Sequence, residues 1–343
     1  MQTSKFKSWY TTIFILAFLG MLLIPLRTLV LDPYAIEEGF YLRSRLISLT
    51  TNLRLTIGDR VFPKVLVGEG GWLVYTAEGD LDAYQRSESF TDEQVSQFQA
   101  NLAALTSNYA ERGITLLVLV VPSKNSMYPE RVPEAITQFG SESKLDQVVS
   151  HLKAHGTTQI IDLRPALTEV KSKHTMYYAT DTHWNDYGAY LTYSILLNQL
   201  KEKYPNLSPR SLSDFHEKIR EPDVLDLANI IGATSLLESK IQLAPAFDLA
   251  TSYKSINLGG RKLMFSYNPD ESLPDLVIYY DSYFFNVNPM LGEHFHRGVF
   301  VQNYSGGGLW NLSWVDEQEP DVVIIEFAER YIDDLLKFVD PNR

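Results

Sequence analysis

The first apolar feature of the chain is a block. Residues 8–26, SWYTTIFILAFLGMLLIPL, carry no charge, with Lys5 and Lys7 before them and Arg27 after. Nineteen residues at about 1.5 Å each cover about 28 Å, close to the hydrocarbon core of a bilayer, so the block predicts one N-terminal transmembrane helix. The two lysines place the N-terminus in the cytoplasm and the rest of the chain outside, and Trp9 and Tyr10 sit where interfacial aromatics belong. The apolar run is followed by no small-x-small site, so an uncleaved anchor is expected rather than a signal peptide. Residues 32–63 mix acids with bases and read as a juxtamembrane stalk.

Beyond residue 64 the rhythm changes to alternating helix and strand patterns. VLVGEGGWLVY, residues 65–75, has two apolar runs around Gly68-Glu69-Gly70-Gly71 and reads as a hairpin. Thr91 to Gln94 form a capping box opening a helix that reaches Arg112 and stops at Gly113. Residues 114–121, ITLLVLVV, are continuously apolar, the mark of a strand covered on both faces. A helix over 144–154, a strand over 159–163 and a helix over 187–204 follow, then a weakly patterned stretch at 205–260. Strands at 275–280, 299–303 and 321–327 and a helix from Glu329 close the chain. This alternation predicts an α/β sandwich with a mainly parallel sheet, whose site lies at the carboxyl ends of strands. The expected domains are a cytoplasmic tip and anchor (1–31), the stalk (32–63) and a globular domain (64–343) with an insertion at about 205–260.

Composition narrows the chemistry. With 343 residues, 45% apolar and 21% charged, the chain has ample material for a core. Cysteine is absent, which removes disulfides, thiolate metal sites and a thiol nucleophile, so a nucleophile must be an oxygen or nitrogen group. Net charge is −12, and residues 1–31 hold three bases and no acid; the other 27 bases therefore face all 42 acids, giving residues 32–343 a charge of −15. Such a body is unsuited to nucleic acid and repels a polyanion unless a local basic patch intervenes.

Two segments could carry catalysis. Ser282 follows Asp281 directly after the apolar run DLVIYY. A serine at a strand-to-helix turn exposes its hydroxyl and its N–H at the sheet edge, while an Asp-Ser pair serves equally as a cap or turn. In Asp181-Thr182-His183-Trp184-Asn185, residues two apart point the same way if the segment is extended, so Asp181 could orient His183 as a base. The competing reading makes Asp181 a cap for the following helix. Glu293, His294 and His296 could supply metal ligands, but no spaced ligand motif accompanies them and no metal is expected. Ser305-Gly306-Gly307-Gly308 matches no nucleotide-binding pattern.

Asp181-Thr182-His183-Trp184 before a helix, and Asp281-Ser282 after a buried strand about a hundred residues later, resemble the SGNH-hydrolase-like acetyltransferases of the alginate O-acetyltransferase family. Gly70-Gly71-Trp72-Leu73, Val121-Pro122-Ser123-Lys124 with Tyr128-Pro129, Asp226-Leu227-Ala228-Asn229, and Pro320 to Val323 through Glu326, Glu329 and Arg330 agree in the same order. The resemblance implies an SGNH-like three-layer sandwich with Ser282 as nucleophile, His183 as base and Asp181 as the orienting carboxylate, and no cofactor. The family's activity would be acetyl transfer, through an acetyl-serine, to hydroxyls of an exported polysaccharide on the periplasmic or extracellular side, beside a membrane-bound acyltransferase supplying acetyl groups. No appended carbohydrate-binding module is expected. Tyr280 stands where the family commonly has glycine, which calls for a differently built turn.

Within that reading the Ser282 N–H would bind the oxyanion. Trp184 and Tyr283 are candidate sugar platforms or packing residues, and Lys124 either reaches the site or forms a surface ion pair. An esterase with the same triad and a non-catalytic glycan-binding adaptor are the alternatives. The charge balance favours a neutral or weakly charged glycan, or else a local cationic groove.

Overall fold

The computed structural model describes residues 3–31, 42–156, 158–258, 261–302 and 312–338. They belong to two compact units, Met1–Asp59 with Asn229–Ser235, and Arg60–Ala228 with Leu236–Arg343. The first contains α1 (Thr3–Leu31) and α2 (Arg43–Thr56). Within α1 the side chains of residues 9–23 and 26 are described, and all are exposed. Among the described residues no helix is long and apolar enough to cross a membrane. The expected span is therefore not supported. Residues 32–41 of the expected stalk and the Ser305-Gly306-Gly307-Gly308 segment lie outside the described residues.

In the second unit, Asp80–Gln85 (α3), Asp92–Glu111 (α4), Lys124–Met127 (α5), Lys144–His155 (α6), Arg164–Val170 (α7) and Asp186–Leu200 (α8) surround twelve strands. The strands are Val61–Phe62 (β1), Val65–Val67 (β2), Leu73–Tyr75 (β3), Thr115–Val121 (β4), Ile161–Asp162 (β5), Phe215–Asp223 (β6), Glu238–Pro245 (β7), Ser252–Leu258 (β8), Arg261–Tyr267 (β9), Leu276–Tyr280 (β10), Arg297–Gln302 (β11) and Val322–Ala328 (β12). Seven of them form one sheet in the order β5-β4-β12-β10-β11-β9-β8. The pairings from β5 to β11 are parallel, and β9 and β8 extend the sheet antiparallel.

Every residue of β10 and β12 is buried, because helices cover both faces of the sheet. Leu276, Ile278, Val322 and Ile324 pack on one side with Leu167 of α7 and Tyr193, Leu196 and Leu197 of α8. Val277, Tyr279, Val323 and Ile325 pack on the other with Phe98 and Leu102 of α4 and Val148 and Leu152 of α6. Period-two alternation thus divides each apolar run between two layers, giving an α/β/α sandwich.

The weakly patterned stretch holds the ribbon β6-β7 and the edge strand β8. Only Phe215 of β6 is buried, so no period-two signal marks that strand. The strand expected at 159–163 contracts to β5, which pairs with β4 over two positions at the sheet edge. The 65–75 hairpin forms as β2-β3, with β1 added beside β2 as a third strand.

Candidate active site

Three adjacent parallel strands end together. Val121 of β4 stands opposite Ala328 of β12, and Ile325 of β12 opposite Tyr279 of β10. The residues that follow therefore converge: Ser123 and Lys124, Glu329 and Arg330, Asp281 and Ser282. This is the carboxyl edge at which α/β sheets carry sites.

Ser282 opens the short 3-10 helix Ser282–Asn286 after β10. Asp281 builds the turn. Its N–H donates to Glu326 at 2.8 Å, and its carboxylate accepts the N–H groups of Tyr283 at 2.9 Å and Ala328 at 2.8 Å. Tyr280 is ordinary strand, paired with Gln302, and does not belong to the described residues of positive φ. Tyrosine in place of glycine therefore costs no backbone strain, since the carboxylate cap of Asp281 makes the bend. Beneath it Glu326 is fully buried; burial and the neighbouring Asp281 charge push its carboxyl well above the ordinary range, which favours the neutral form.

The helix α8 is capped by Asn185, whose side chain accepts the N–H groups of Tyr187 at 2.9 Å and Gly188 at 3.3 Å. Asn185 is therefore the cap, and Asp181 faces His183. Oδ1 of Asp181 accepts the His183 N–H at 3.0 Å and lies 2.7 Å from Nδ1, while Nε2 lies 2.8 Å from the Ser282 hydroxyl. A carboxylate partner holds the proton on Nδ1 and leaves the Nε2 lone pair facing the serine. Burial acts to raise the Asp181 pKa, but the hydrogen bonds and charge of His183 outweigh it and bring the carboxyl down to about 2.

The loop carrying Asp181 is fixed from below. Lys124 is 3% exposed and its ammonium donates to the carbonyls of Tyr178 at 3.2 Å, Ala179 at 3.0 Å and Asp181. Burial lowers its pKa to about 8 against the pull of Asp181, Glu238, Asp80 and Asp226. Lys124 is thus buried rather than a surface ion pair, and it does not line the cleft, a correction that follows from its place in α5 beneath the loop it bonds. Glu238 accepts the N–H groups of Ala179 at 2.9 Å and Thr180 at 2.7 Å, and Asp226 accepts the Thr182 hydroxyl at 2.9 Å. Ser123 donates its N–H to Glu329 at 2.8 Å and its hydroxyl to Asp80.

Ser282 and His183 open into a cleft of about 340 Å³. Trp184 and Tyr283 form its floor rather than a sugar platform, for they are 1% and 2% exposed. The Trp184 indole donates to the Tyr283 carbonyl at 2.8 Å, and the Tyr283 hydroxyl donates to the Thr182 carbonyl at 2.8 Å. These bonds lock the histidine loop onto the serine turn. At the mouth stand Arg220, Lys240, Phe285 and Asn286, none of them expected from sequence. Phe285 is 44% exposed, the available aromatic face on this rim. Arg220 and Lys240 project from the ribbon β6-β7, whose charged run HEKIREPD was the signal that could have marked it.

Glu293, His294 and His296 do not converge. Glu293 accepts the N–H groups of Ala250 and Thr251, His294 bonds the Tyr193 hydroxyl, and His296 the Asn268 carbonyl. Asp181, His183 and Asp226 do bring ligand atoms within 4.8 Å of one another, but both imidazole nitrogens are already engaged by Asp181 and Ser282.

The family model described as "SGNH hydrolase-like domain, acetyltransferase AlgX" matches residues 65–266, ending before Ser282. "Probable alginate O-acetylase AlgJ" of Azotobacter vinelandii is 26% identical over 165 residues, 48% of this chain and 41% of that protein. The chain therefore matches under half the length of this curated relative. Bacillus cereus PatB1, solved with a sulfonyl adduct, superposes with a TM-score of 0.59 at 14% identity, over 80% of this chain and 97% of that one. The O-acetyltransferase domain of Pseudomonas putida AlgJ superposes with a TM-score of 0.52 at 16% identity, over 82% of this chain and 100% of that one. At such identities the two structures speak for the fold.

Proposed function

Because this chain belongs to the family of the SGNH hydrolase-like domain of acetyltransferase AlgX, we propose that it is an O-acetyltransferase acting on hydroxyls of an extracytoplasmic polysaccharide. The observation that carries the reading is the 2.8 Å contact between His183 Nε2 and the Ser282 hydroxyl, with Asp181 at 2.7 Å from Nδ1. His183 takes the serine proton as Ser282 Oγ attacks the donor's acetyl carbonyl. Collapse of the tetrahedral adduct forms the acetyl-serine, and the imidazolium returns the proton to the departing donor group. A sugar hydroxyl then gives its proton to His183 and attacks the acetyl-serine, and Ser282 leaves reprotonated. The Ser282 N–H, which makes no hydrogen bond among the described residues, faces the developing oxyanion.

Arg220 and Lys240 bear on the acceptor. They put two cations at the mouth of the cleft in a chain of net charge −12, so the local-groove version of the charge argument applies, and the acceptor is a carboxylate-bearing glycan rather than a neutral one. Phe285 offers a face for a sugar ring. The uncharged block at 8–26 and its flanking lysines support a signal anchor in the inner membrane, with residues 64–343 as the catalytic domain outside it and a membrane-bound acyltransferase supplying acetyl groups.

The test is to incubate the full chain with an acetyl ester donor and uronate or neutral oligosaccharides, following acetylated sugar and free acetate. Acetylated sugar that disappears in Ser282→Ala is expected. Acetate alone identifies an esterase, and neither product, with glycan binding retained by Ser282→Ala, identifies an adaptor.

A further inference from the structure

The helix α2 has two dissimilar sides. One is docked: Thr51 donates its hydroxyl to the Ile231 carbonyl at 2.6 Å, Ser48 to the Gly232 carbonyl at 2.8 Å, and Asn52 its amide to the Thr234 hydroxyl at 3.0 Å. The other is apolar and, among the described residues, uncovered. Leu46, Leu49, Leu53 and, just past the helix end, Ile57 are between 39% and 74% exposed. At about 100° per residue these four fall within an arc of about 80°, directly opposite the docked side. Arg43 borders the stripe on one flank and Arg45 on the other, both exposed.

The charge of this helix departs from the rest of the chain. Its fourteen residues include Arg43, Arg45 and Arg54 and no acid, and Arg54 is paired with Asp59, whereas residues 32–343 as a whole carry −15. An aliphatic stripe edged by arginines, with hydrogen-bonding residues turned away from it, matches the boundary between acyl chains and anionic headgroups. We propose that α2 lies in the plane of an anionic phospholipid surface with Leu46, Leu49, Leu53 and Ile57 turned into it. The binding requires no spanning segment and is distinct from any anchoring by residues 8–26.

The absence of cysteine makes a site-resolved test direct. The full chain is prepared as Leu49→Cys, Leu53→Cys or Ser44→Cys, the last an exposed position on the side away from the stripe, and labelled with an environment-sensitive fluorophore. Each is mixed with protein-free phosphatidylglycerol/phosphatidylcholine vesicles carrying brominated acyl chains. Labels at 49 and 53 should be quenched several-fold more than the label at 44, and the difference should shrink in pure phosphatidylcholine or in an Arg43→Gln/Arg45→Gln background. Equal quenching at the three positions overturns the proposal, even where the chain remains vesicle-bound, since insertion of residues 8–26 alone does not distinguish them. Protection of position 49 that appears only with an added membrane protein overturns it equally, because the stripe would then be a protein contact.

Discussion

His183 Nε2 lies 2.8 Å from the Ser282 hydroxyl although 99 residues separate them. The loop before α8 meets the turn after β10 because Trp184 bonds the Tyr283 carbonyl and Tyr283 bonds the Thr182 carbonyl, one bond in each direction. Two buried aromatics thus set the distance between the imidazole and the serine hydroxyl. Replacing Ser282 by Ala should abolish formation of a covalent acetyl adduct, detected as a mass increase of one acetyl group. Asp181→Asn should keep the fold and lower kcat by about 10³-fold or more, since the amide favours the wrong imidazole tautomer.

Asp181 also links the site to acid stability. Its carboxyl is lowered from an ordinary 3.8 to about 2 in the folded chain, so below neutrality the native state binds fewer protons than the unfolded one. The resulting contribution, about 2 kcal/mol, is complete above pH ~4, shrinks as pH falls, and is gone below pH ~2. Urea unfolding at pH 5 and pH 3 should show a larger loss for the wild type than for Asp181→Asn; equal losses would contradict this assignment.

Lys124 satisfies three carbonyls of the histidine loop. Lys124→Met removes this shared donor, leaving the Ala179 carbonyl with the Leu73 N–H alone, and should destabilise the chain by about 2 to 4 kcal/mol, lowering kcat more than it raises KM. Arginine should not rescue, because a planar guanidinium does not fit the space of a buried ammonium. Thermal melting and steady-state kinetics check both statements.

Burial and the Asp281 charge favour the neutral form of Glu326 beneath the serine turn. Glu326→Gln keeps an oxygen to accept the Asp281 N–H and should cost about 1 kcal/mol or less, with activity preserved. Glu326→Ala opens a cavity and orphans that N–H, and should cost about 3 kcal/mol or more. Similar effects of the two substitutions would argue for an ionised Glu326.

Arg220→Ala/Lys240→Ala should raise KM for a uronate oligosaccharide several-fold, leave kcat nearly unchanged, and flatten the dependence of kcat/KM on salt, since both side chains are exposed at the rim. A neutral oligosaccharide should be unaffected.

Local signals in the sequence were enough for the central strands, for the capping box of α4 and for the convergence point after β10. Runs such as LVIYY and VVIIEFA have a single stable use, burial between two helical layers, and Asp-Ser after such a run lies at a sheet edge by topology. The ribbon β6-β7 escaped because its exposed strands carry no periodicity, and with it went Arg220 and Lys240. The burial of Lys124 is not legible in the sequence, and the choice between platform and packing for Trp184 and Tyr283 stays open there, because burial depends on partners more than fifty residues away. By itself, then, the sequence determined the α/β order and, through the absence of cysteine, that no thiol is available. Whether Asp181 caps a helix or lies against His183 is decided only in three dimensions. Asn185 took the cap and the Tyr283 contacts brought Ser282 within hydrogen-bond reach, and such long-range distances are set by packing rather than by local pattern.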